Sequence, residues 1–185
     1  MVRATLSATL RFTDIVGSTE ELSRLGDRRW RARLEDHDQI IREALRRWRG
    51  REIKTFGDGF LATFDGPARA LSCAGDIVAA LHQRDLALRI GLHTGECEVR
   101  PDDVSGIAVH IASRVMRAAG PGEVLASSTV KELVVGSGLR FEDPGRACAA
   151  RRRGGVAPLR ARSRAGGAAL RARALTELLV EPHPP

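Results

Sequence analysis

Residues 51–64 consist of two apolar, β-prone runs separated by Gly57-Asp58-Gly59. Such a short glycine-rich break between two strand-like runs predicts a β-hairpin. The two glycines allow a sharp turn and a close approach of a ligand to the backbone. Asp58 at the tip is therefore either a turn-forming residue or a metal ligand, and the turn alone favours the first role. Lys54, one of only two lysines in the chain, predicts a specific hydrogen-bond donor beside the tip.

The excess of basic over acidic residues is confined to the C-terminal end of the chain. The 185 residues carry a net charge of +7, and nine arginines less two glutamates after Gly145 account for all of it. Residues 1–145 are therefore neutral, and we do not expect the folded part to bind nucleic acid. A nucleic-acid binder driven by the basic end is an alternative, which predicts affinity that falls steeply with salt and vanishes on truncation at Gly145.

Length and apolar content predict one domain with a substantial core. No apolar run is long enough to cross a bilayer, so we expect no membrane association and a cytoplasmic location. Cys73, Cys97 and Cys148 lack the spacing of metal ligands and fit free thiols in a reducing compartment.

Composition divides the chain at Gly145. We assign residues 1–145 to one folded domain and residues 146–185 to a basic Arg/Ala/Gly-rich tail. We predict that the tail is irregular, with disorder up to Gly167, because it is poor in aromatic residues and rich in Arg, Gly and Ala. Ala168–Val180 is compatible with a short helix.

Apolar periodicity predicts the order β-α-α-β-β-α-β-α-β-α-β. The predicted strands are 4–12, the two arms of the hairpin, 86–97, 123–126 and 139–141, and the helices begin at 18 or 19, 27, 67, 107 and 127 or 128. In the first strand, apolar residues alternate with four polar ones, Thr5, Ser7, Thr9 and Arg11. The order is typical of an α+β fold, a ferredoxin-like sandwich with helices packed on a mostly antiparallel sheet. Ser18 or Thr19 is expected to cap the first helix and Asp27 the second, and Gly91 and Gly95 indicate a close backbone approach.

Asp14 and Asp58 each stand where a predicted strand gives way to a turn. If the two strands are neighbours, both carboxylates meet at one edge of the sheet. Two carboxylates with oxygen-only surroundings suit Mg²⁺ or Mn²⁺ and a phosphate substrate, and paired ions about 3.5–4 Å apart clamp both oxygens of an in-line displacement. His37 and His82 are expected to be packing or surface residues, and His93 a satisfied inner histidine rather than a ligand.

Three segments resemble, in chain order, motifs of the catalytic domain of class III nucleotide cyclases. Phe12–Thr19 is similar to the first metal motif, Ile53–Phe60 to the second, and Asp103–Arg114 to the substrate motif. The resemblance covers about residues 4–145 and implies an adenylate cyclase of the bacterial type. Such an enzyme converts ATP to 3′,5′-cyclic AMP and pyrophosphate by in-line attack of the 3′-hydroxyl group on the α-phosphate.

The resemblance implies a two-metal site at the start of the chain. Asp14 and Asp58 would hold two Mg²⁺ or Mn²⁺ ions, with the carbonyl group of Ile15 as a further ligand. The turn Gly17-Ser18-Thr19, at the start of a helix, would bind phosphates through backbone N–H groups.

The resemblance also implies how the nucleotide is read. Lys54 would donate to the adenine ring nitrogen and Asp103 would accept from its exocyclic amine. Guanylate-type members often carry Glu and Cys at these positions, so Lys54 favours ATP. Arg114 would neutralise charge on the α-phosphate during the attack. In this family the metal aspartates come from one subunit and the purine readers from the other, which implies a homodimer with sites at the interface.

Other interpretations stay open. The chain could be a catalytically impaired, cyclase-like nucleotide-binding or dimerisation module, or a guanylate cyclase. Four site residues also have structural alternatives: a helix cap for Asp14, a surface strand lysine for Lys54, a turn acid for Asp103 and a solvated helix residue for Arg114.

The chain departs from the family pattern in two places. His110 stands where Asn is usual; an imidazole can still donate one hydrogen bond to ribose or phosphate, and it predicts a pH dependence near neutrality. After Gly145 the usual terminal hairpin and closing strand are not found. Arg146-Ala-Cys-Ala-Ala-Arg and the later Val156-Ala-Pro-Leu-Arg-Ala match GC-rich codons of typical family endings read one base early. We hypothesise that residues 146–185 are frameshifted and that the sheet loses its closing strand, which the gene's nucleotide sequence tests.

Overall fold

The computed structural model describes residues 4–100, 103–142, 160–162 and 174–175. The strands are β1 (Ala4–Ile15), β2 (Arg51–Phe56), β3 (Gly59–Phe64), β4 (Leu88–Val99), β5 (Val104–Ser105), β6 (Val124–Ser127), β7 (Arg140–Glu142), β8 (Arg160–Arg162) and β9 (Ala174–Leu175). The helices are α1 (Ser18–Leu25), α2 (Asp27–Trp48), α3 (Pro67–His82), α4 (Ile107–Arg117) and α5 (Ser128–Leu133). The predicted order is confirmed as far as β7, with the two-residue strand β5 added inside a predicted turn; β8 and β9 were not predicted.

The main sheet has the order β2-β3-β1-β4-β6-β9, and β5 pairs with the C-terminal end of β4. The pairs within β2-β3-β1-β4 are antiparallel, whereas β4–β6 and β6–β9 are parallel. β7 and β8 form a separate antiparallel pair. The prediction of an α+β fold with a mostly antiparallel sheet is therefore confirmed.

Helices cover both faces of the sheet. Ile41 of α2 and Leu71 of α3 pack in one core cluster with Ile15 of β1. α4 covers the opposite face, where its small residues pack on Leu10 and Phe12 of the same strand. Successive residues of β1 therefore face different helices, as the two-residue period of a strand requires.

α4 lies very close to β4 at Gly91. A Cβ atom at this position would clash with the backbone of Met116, so only glycine allows the contact. At Gly95 a Cβ atom would lie 3.1 Å from the Cβ of Ala108, which is a tight but milder contact. The predicted close backbone approach is confirmed and it fixes the position of α4 over the sheet.

The predicted helix caps are wrong. α1 and α2 begin after Gly17 and Gly26, which have φ angles of 72° and 76°, and neither helix has a side-chain capping hydrogen bond. Ser18 and Asp27 are instead the first helical residues of their helices. Backbone hydrogen bonds stabilise the first turn of each helix. The carbonyl oxygens of Gly17 and Gly26 accept hydrogen bonds from the N–H groups of Glu21 and Trp30 at 2.9 and 3.0 Å.

Two predictions about the tail are also wrong within the residues that the structure describes. Residues 160–162 form β8 against β7, where an irregular chain was predicted, and residues 174–175 form β9 against β6, where a helix was compatible. The exposed edge of β6 explains the second change, since unpaired backbone groups at an edge accept another strand. The remaining predictions for the tail, and Cys148, lie outside the described residues. Cys73 and Cys97 are free thiols, as predicted.

Within the described residues, no helix is both long enough and apolar enough to span a bilayer.

His93 on β4 is buried, and its Nδ1 atom lies 2.8 Å from the hydroxyl oxygen of Ser127. It is the satisfied inner histidine that was predicted, and burial lowers its pKa. The unfolded chain takes up this proton first, near pH 6.5, so the free energy of unfolding should fall below that pH by up to about 1.4 kcal/mol per pH unit. Denaturant titrations of the wild type and His93→Gln from about pH 7.5 to about pH 5.5 measure the effect. We expect a shallower pH slope in the variant, and equal slopes would contradict this.

Candidate active site

Asp14 and Asp58 lie at the same end of the sheet. β1 and β3 are antiparallel neighbours in which Thr13 pairs with Phe60, so Asp14, one residue further along β1, lies opposite the start of β3. The hairpin turn that carries Asp58 directly precedes that start. The predicted neighbourhood of the two strands is confirmed.

Glycines hold the hairpin tip against β1. The turn between β2 and β3 has two residues, and Gly57 adopts a φ angle of 65°, which is typical of a two-residue turn that begins with glycine. A Cβ atom on Gly59 would lie 2.7 Å from the Thr13 carbonyl oxygen. The backbone N–H of Phe60 donates to the Thr13 hydroxyl group at 3.2 Å. The Gly-Asp-Gly sequence therefore brings Asp58 directly beside the end of β1.

One oxygen of Asp58 lacks a protein partner. In the described structure its Oδ2 atom is buried and accepts no hydrogen bond. A buried carboxylate oxygen is normally hydrogen-bonded, ion-paired or bound to a metal, because burial without a partner is unfavourable. This residue therefore fits a cation ligand better than a simple turn-former.

Asp14 is paired with an arginine that sequence reasoning missed. Asp14 and Arg89 are directly opposite on β1 and β4. The Arg89 Nε atom donates to Oδ2 of Asp14 at 2.7 Å, and a second guanidinium nitrogen donates to the same oxygen. The side chains are 25% and 36% exposed, so a solvent ion can reach the pair. A positive charge thus lies at Asp14, which is the charge that a metal cation would supply.

The two carboxylates suit a site that is completed by other oxygens. Nowhere in the described ranges do three or more Asp, Glu, His or Cys residues form a cation-binding group. Mg²⁺ is commonly bound through one or two carboxylates, with water and substrate phosphates as the other ligands. The side chain of Ile15 is buried in the core, so this residue could contribute only through its backbone, as the resemblance implies.

The structure brings the two predicted purine readers together. The Lys54 ammonium group lies 2.5 Å from Oδ1 of Asp103, and the Val104 N–H donates to the same oxygen at 2.9 Å. The hydrogen bond from Lys54 and that from Val104 lower the pKa of Asp103. The ammonium group also lies 5.4 Å from the ring centre of Phe56. Lys54 is therefore a donor directly beside an acceptor, and both side chains are partly exposed, at 39% and 45%.

His110 and Arg114 lie one turn apart on α4. Both are exposed, whereas the opposite face of the helix buries Ala108, Ala112, Val115 and Met116. Residues four apart share one side of a helix, so the imidazole and the guanidinium group are presented together. The spacing of the substrate motif is thus compatible with joint contact to one ligand.

The predicted phosphate-binding turn has one feature that favours an anion and one that opposes it. Gly17 precedes α1 in the left-handed conformation, and Ser18 and Thr19 begin the helix. The first backbone N–H groups of a helix favour anions. A carboxylate oxygen of Glu20 lies 3.6 Å from the position a Cβ of Gly17 would take, so a negative charge already stands there. An incoming phosphate would have to displace it.

The helix-covered, mostly antiparallel sheet, the two aspartates at one end and the Lys54–Asp103 pair agree with the resemblance to a class III cyclase catalytic domain. A family model described as the adenylate and guanylate cyclase catalytic domain matches residues 2–152. The chain belongs to this family, and the resemblance noted in the sequence is confirmed.

One relative of known name shares part of its sequence with this chain. The serine/threonine-protein kinase pkn2 of Myxococcus xanthus is 29% identical in an alignment over 130 residues that covers 66% of this chain and 16% of that protein. The chain therefore spans only a small part of that relative.

Two solved structures have the same fold. An adenylate/guanylate cyclase/hydrolase from Silicibacter pomeroyi has a TM-score of 0.67 and 26% identity over 77% of this chain and 88% of that chain. The adenylyl cyclase CyaB from P. aeruginosa has a TM-score of 0.71 and 22% identity over 78% and 88%.

Proposed function

We propose that the chain is an adenylate cyclase that converts ATP to 3′,5′-cyclic AMP and pyrophosphate. The observation that supports this most strongly is the pairing of Lys54 with Asp103 in a cyclase domain whose Asp14 and Asp58 lie at one sheet end. Membership of the family supports a cyclase, and the chemistry of the purine pair favours adenine.

The purine pair complements adenine by hydrogen-bonding type. An ammonium group only donates and a carboxylate only accepts. Adenine offers a ring nitrogen acceptor and an exocyclic amine donor on its pairing edge, so Lys54 and Asp103 each find a match. Guanine presents a ring N–H and an exocyclic carbonyl there, so the same two groups would face donor to donor and acceptor to acceptor.

Asp14 and Asp58 are the residues that would hold divalent ions. Two Mg²⁺ or Mn²⁺ ions at these carboxylates would activate the attacking hydroxyl group and neutralise the phosphates. Arg89 adds a fixed positive charge beside Asp14. Arginine binds phosphate oxygens strongly, so this guanidinium group would also suit the phosphates of the substrate.

The bond changes occur at the α-phosphorus. The 3′-hydroxyl oxygen attacks it and passes its proton to solvent water, the bond to the bridging oxygen breaks, and pyrophosphate leaves with that electron pair. Arg114 would stabilise the charge that develops on the α-phosphate, and His110 would orient ribose or phosphate by one hydrogen bond. Gly17, Ser18 and Thr19 would bind the phosphate chain through backbone N–H groups.

We propose further that the enzyme acts as a homodimer with two interfacial sites. Each chain carries the metal aspartates and also Lys54, Asp103 and Arg114, so a single type of chain can supply both halves. A two-fold arrangement then forms two equivalent sites.

A catalytically impaired nucleotide-binding module is the second candidate. His110 in place of Asn and the altered chain after Gly145 favour it. Turnover separates the two: an impaired module would form dimers and bind ATP without producing cyclic AMP, whereas the cyclase produces cyclic AMP with Mn²⁺. Formation of cyclic GMP from GTP, with no cyclic AMP formed from ATP, would instead identify a guanylate cyclase.

A further inference from the structure

The strand that carries Lys54 has few neighbours. β2 lies at the edge of the main sheet and, among the described strands, pairs with β3 alone. Its residues are exposed or half-buried, whereas β3 is almost entirely buried. Because an edge strand has a neighbour on one side only, the position of Lys54 depends on the contacts that fix β2 from outside the sheet.

A β-bulge interrupts β2 directly before Lys54. Glu52 pairs with Ala62 and Lys54 pairs with Leu61, so Ile53 is an extra residue without an opposite partner. Residues two apart in a regular strand share one face of the sheet. Across this bulge they do not, because Ala62 belongs to the core cluster under α2 and α3, and Leu61 to the cluster under α4. Glu52 therefore faces α2, while Lys54 faces the α4 side.

Arg42 of α2 holds Glu52 on the α2 face. Its Nε atom and one terminal nitrogen donate to the two carboxylate oxygens of Glu52 at 3.0 and 3.2 Å. Such a two-point contact fixes the carboxylate in direction as well as in distance. The central carbon of the guanidinium group also lies 5.3 Å from the ring centre of Phe60 on β3. Arg42 thus contacts both strands of the hairpin, on the face opposite to Lys54.

Phe60 gives Arg42 a fixed base. It is fully buried, its backbone N–H donates to the Thr13 hydroxyl group at 3.2 Å, and the buried ring of His37 packs edge-on against it with 5.7 Å between ring centres. His37 is therefore a packing residue, as predicted. Since β3 is held between β1 and α2, Arg42 can determine where the less constrained strand β2 lies.

Loss of the bulge would bring the Glu52 carboxylate to the nucleotide side. In the regular register that continues from the turn, Glu52 would lie opposite Thr63. Thr63 pairs with Leu10 of β1, which belongs to the cluster under α4. Glu52 would then share a face with Lys54 at a separation of about 6.8 Å along the strand, which is within reach of two long side chains.

We propose that Arg42 is a positioning residue for nucleotide binding, because it holds Glu52 on the α2 face and so keeps a competing carboxylate away from Lys54. The inference rests on the proposed function, in which the ammonium group of Lys54 donates to the purine. A carboxylate beside Lys54 would accept from the same donor and compete with the purine. Arg42 acts from the opposite face of the sheet, so its effect should appear in KM rather than in kcat.

Two substitutions distinguish this role from that of a stabilising ion pair, with initial rates measured over a range of ATP concentrations in Mn²⁺. Arg42→Gln should raise the KM for ATP about three- to fivefold, as expected for competition by a partly exposed ion pair, and leave kcat within about twofold. Glu52→Gln removes the competitor, so the double variant Arg42→Gln/Glu52→Gln should recover the wild-type KM. A double variant with the KM of Arg42→Gln would overturn the inference, because loss of a stabilising pair cannot be reversed by removal of its second partner.

Two further variants complete the experiment. Arg69→Gln removes a surface ion pair with Asp65 that does not involve β2, and its KM for ATP should equal that of the wild type. Lys54→Ala separates failure of the inference from failure of the proposed function. If Lys54→Ala leaves the KM unchanged, the purine-reading role and the inference both fall. If Lys54→Ala raises the KM and Arg42→Gln does not, only the positioning role is wrong.

A measurement without turnover uses the small number of lysines. The chain has two, Lys54 and Lys131, so protein labelled with ¹³C at the lysine Cε atoms gives a signal from each. In the nucleotide-free full chain, Arg42→Gln should shift the Lys54 signal, and the added Glu52→Gln should return it towards the wild-type position. The Lys131 signal, from α5, should stay in place as the reference. A Lys54 signal that does not move in Arg42→Gln, or that does not return in the double variant, would overturn the inference.

Discussion

Asp58→Asn is expected to abolish cyclic AMP formation from ATP with Mn²⁺, with a fall in kcat/KM of at least about 1,000-fold. Asparagine forms turns as readily as aspartate, so the hairpin should persist while the negative charge is lost. The buried Oδ2 atom of Asp58, which has no protein partner in the described structure, is the reason to expect that this charge serves a cation.

Asp65→Asn is the matched control for this loss. Asp65 directly follows β3, is exposed, and lies 2.5 Å from Arg69 in a surface ion pair. Surface ion pairs contribute little, so its activity should stay within about twofold of the wild type. Equal activity of Asp58→Asn and Asp65→Asn, measured as initial rates over a range of Mn²⁺ concentrations, would contradict the metal-ligand role.

Lys54→Glu combined with Asp103→Cys is expected to reverse the preference of the enzyme for ATP over GTP. The double variant removes a donor and an acceptor that match adenine and leaves groups often found in guanylate-type members. Each lost charge-assisted hydrogen bond costs about 1.5–3 kcal/mol, so kcat/KM with ATP should fall at least about 100-fold. Activity with GTP should rise above that with ATP.

The other lysine provides the control for net charge. Lys131 is exposed on α5, and Lys131→Glu makes the same reversal of charge as Lys54→Glu, away from the Lys54–Asp103 pair. Because Asp103→Cys removes a negative charge, the double variant changes the net charge by less than this control does. The ratio of ATP to GTP activity of Lys131→Glu should equal that of the wild type. The purine-reading role is wrong if the double variant keeps the wild-type ratio when both nucleotides compete in one reaction.

Local sequence patterns were sufficient for the longer elements of this fold. The 3.6-residue period between Asp27 and Trp48 and the glycine-broken hairpin at Asp58 are signals within short windows, and both appear in the structure where they were predicted. The placement of Asp14 and Asp58 at one end of the sheet needed one long-range assumption, namely that β1 and β3 are neighbours. That assumption is confirmed by the register of Thr13 with Phe60.

Contacts between distant segments were not predictable in the same way. Arg89 contacts Asp14 across 75 residues of sequence, and only the pairing of β1 with β4 shows it. Arg11 occupies a polar position in an alternating strand, which is typical of a solvated face. It is completely buried because helices cover both faces of the sheet, and its side chain donates to Cys73 at 3.0 Å.

Backbone geometry explains the missed caps. Sequence rules favour Ser, Thr and Asp at helix starts, yet Gly17 and Gly26 hold φ angles that other residues rarely adopt. Short strands such as β8 and β9 are equally hard to predict, because a pairing of two or three residues leaves no periodic pattern.

A mixture of two inactive variants tests the central claim most directly, because it requires metal ligands from one chain and Arg114 from another. Asp58→Asn and Arg114→Ala chains are each assayed alone and then after mixing and reassociation, with cyclic AMP from ATP as the readout. In a random mixture half of the dimers are mixed and each has one intact site, so about a quarter of the wild-type activity should appear. A mixture no more active than the sum of its two parents, with dimers present, would contradict the account.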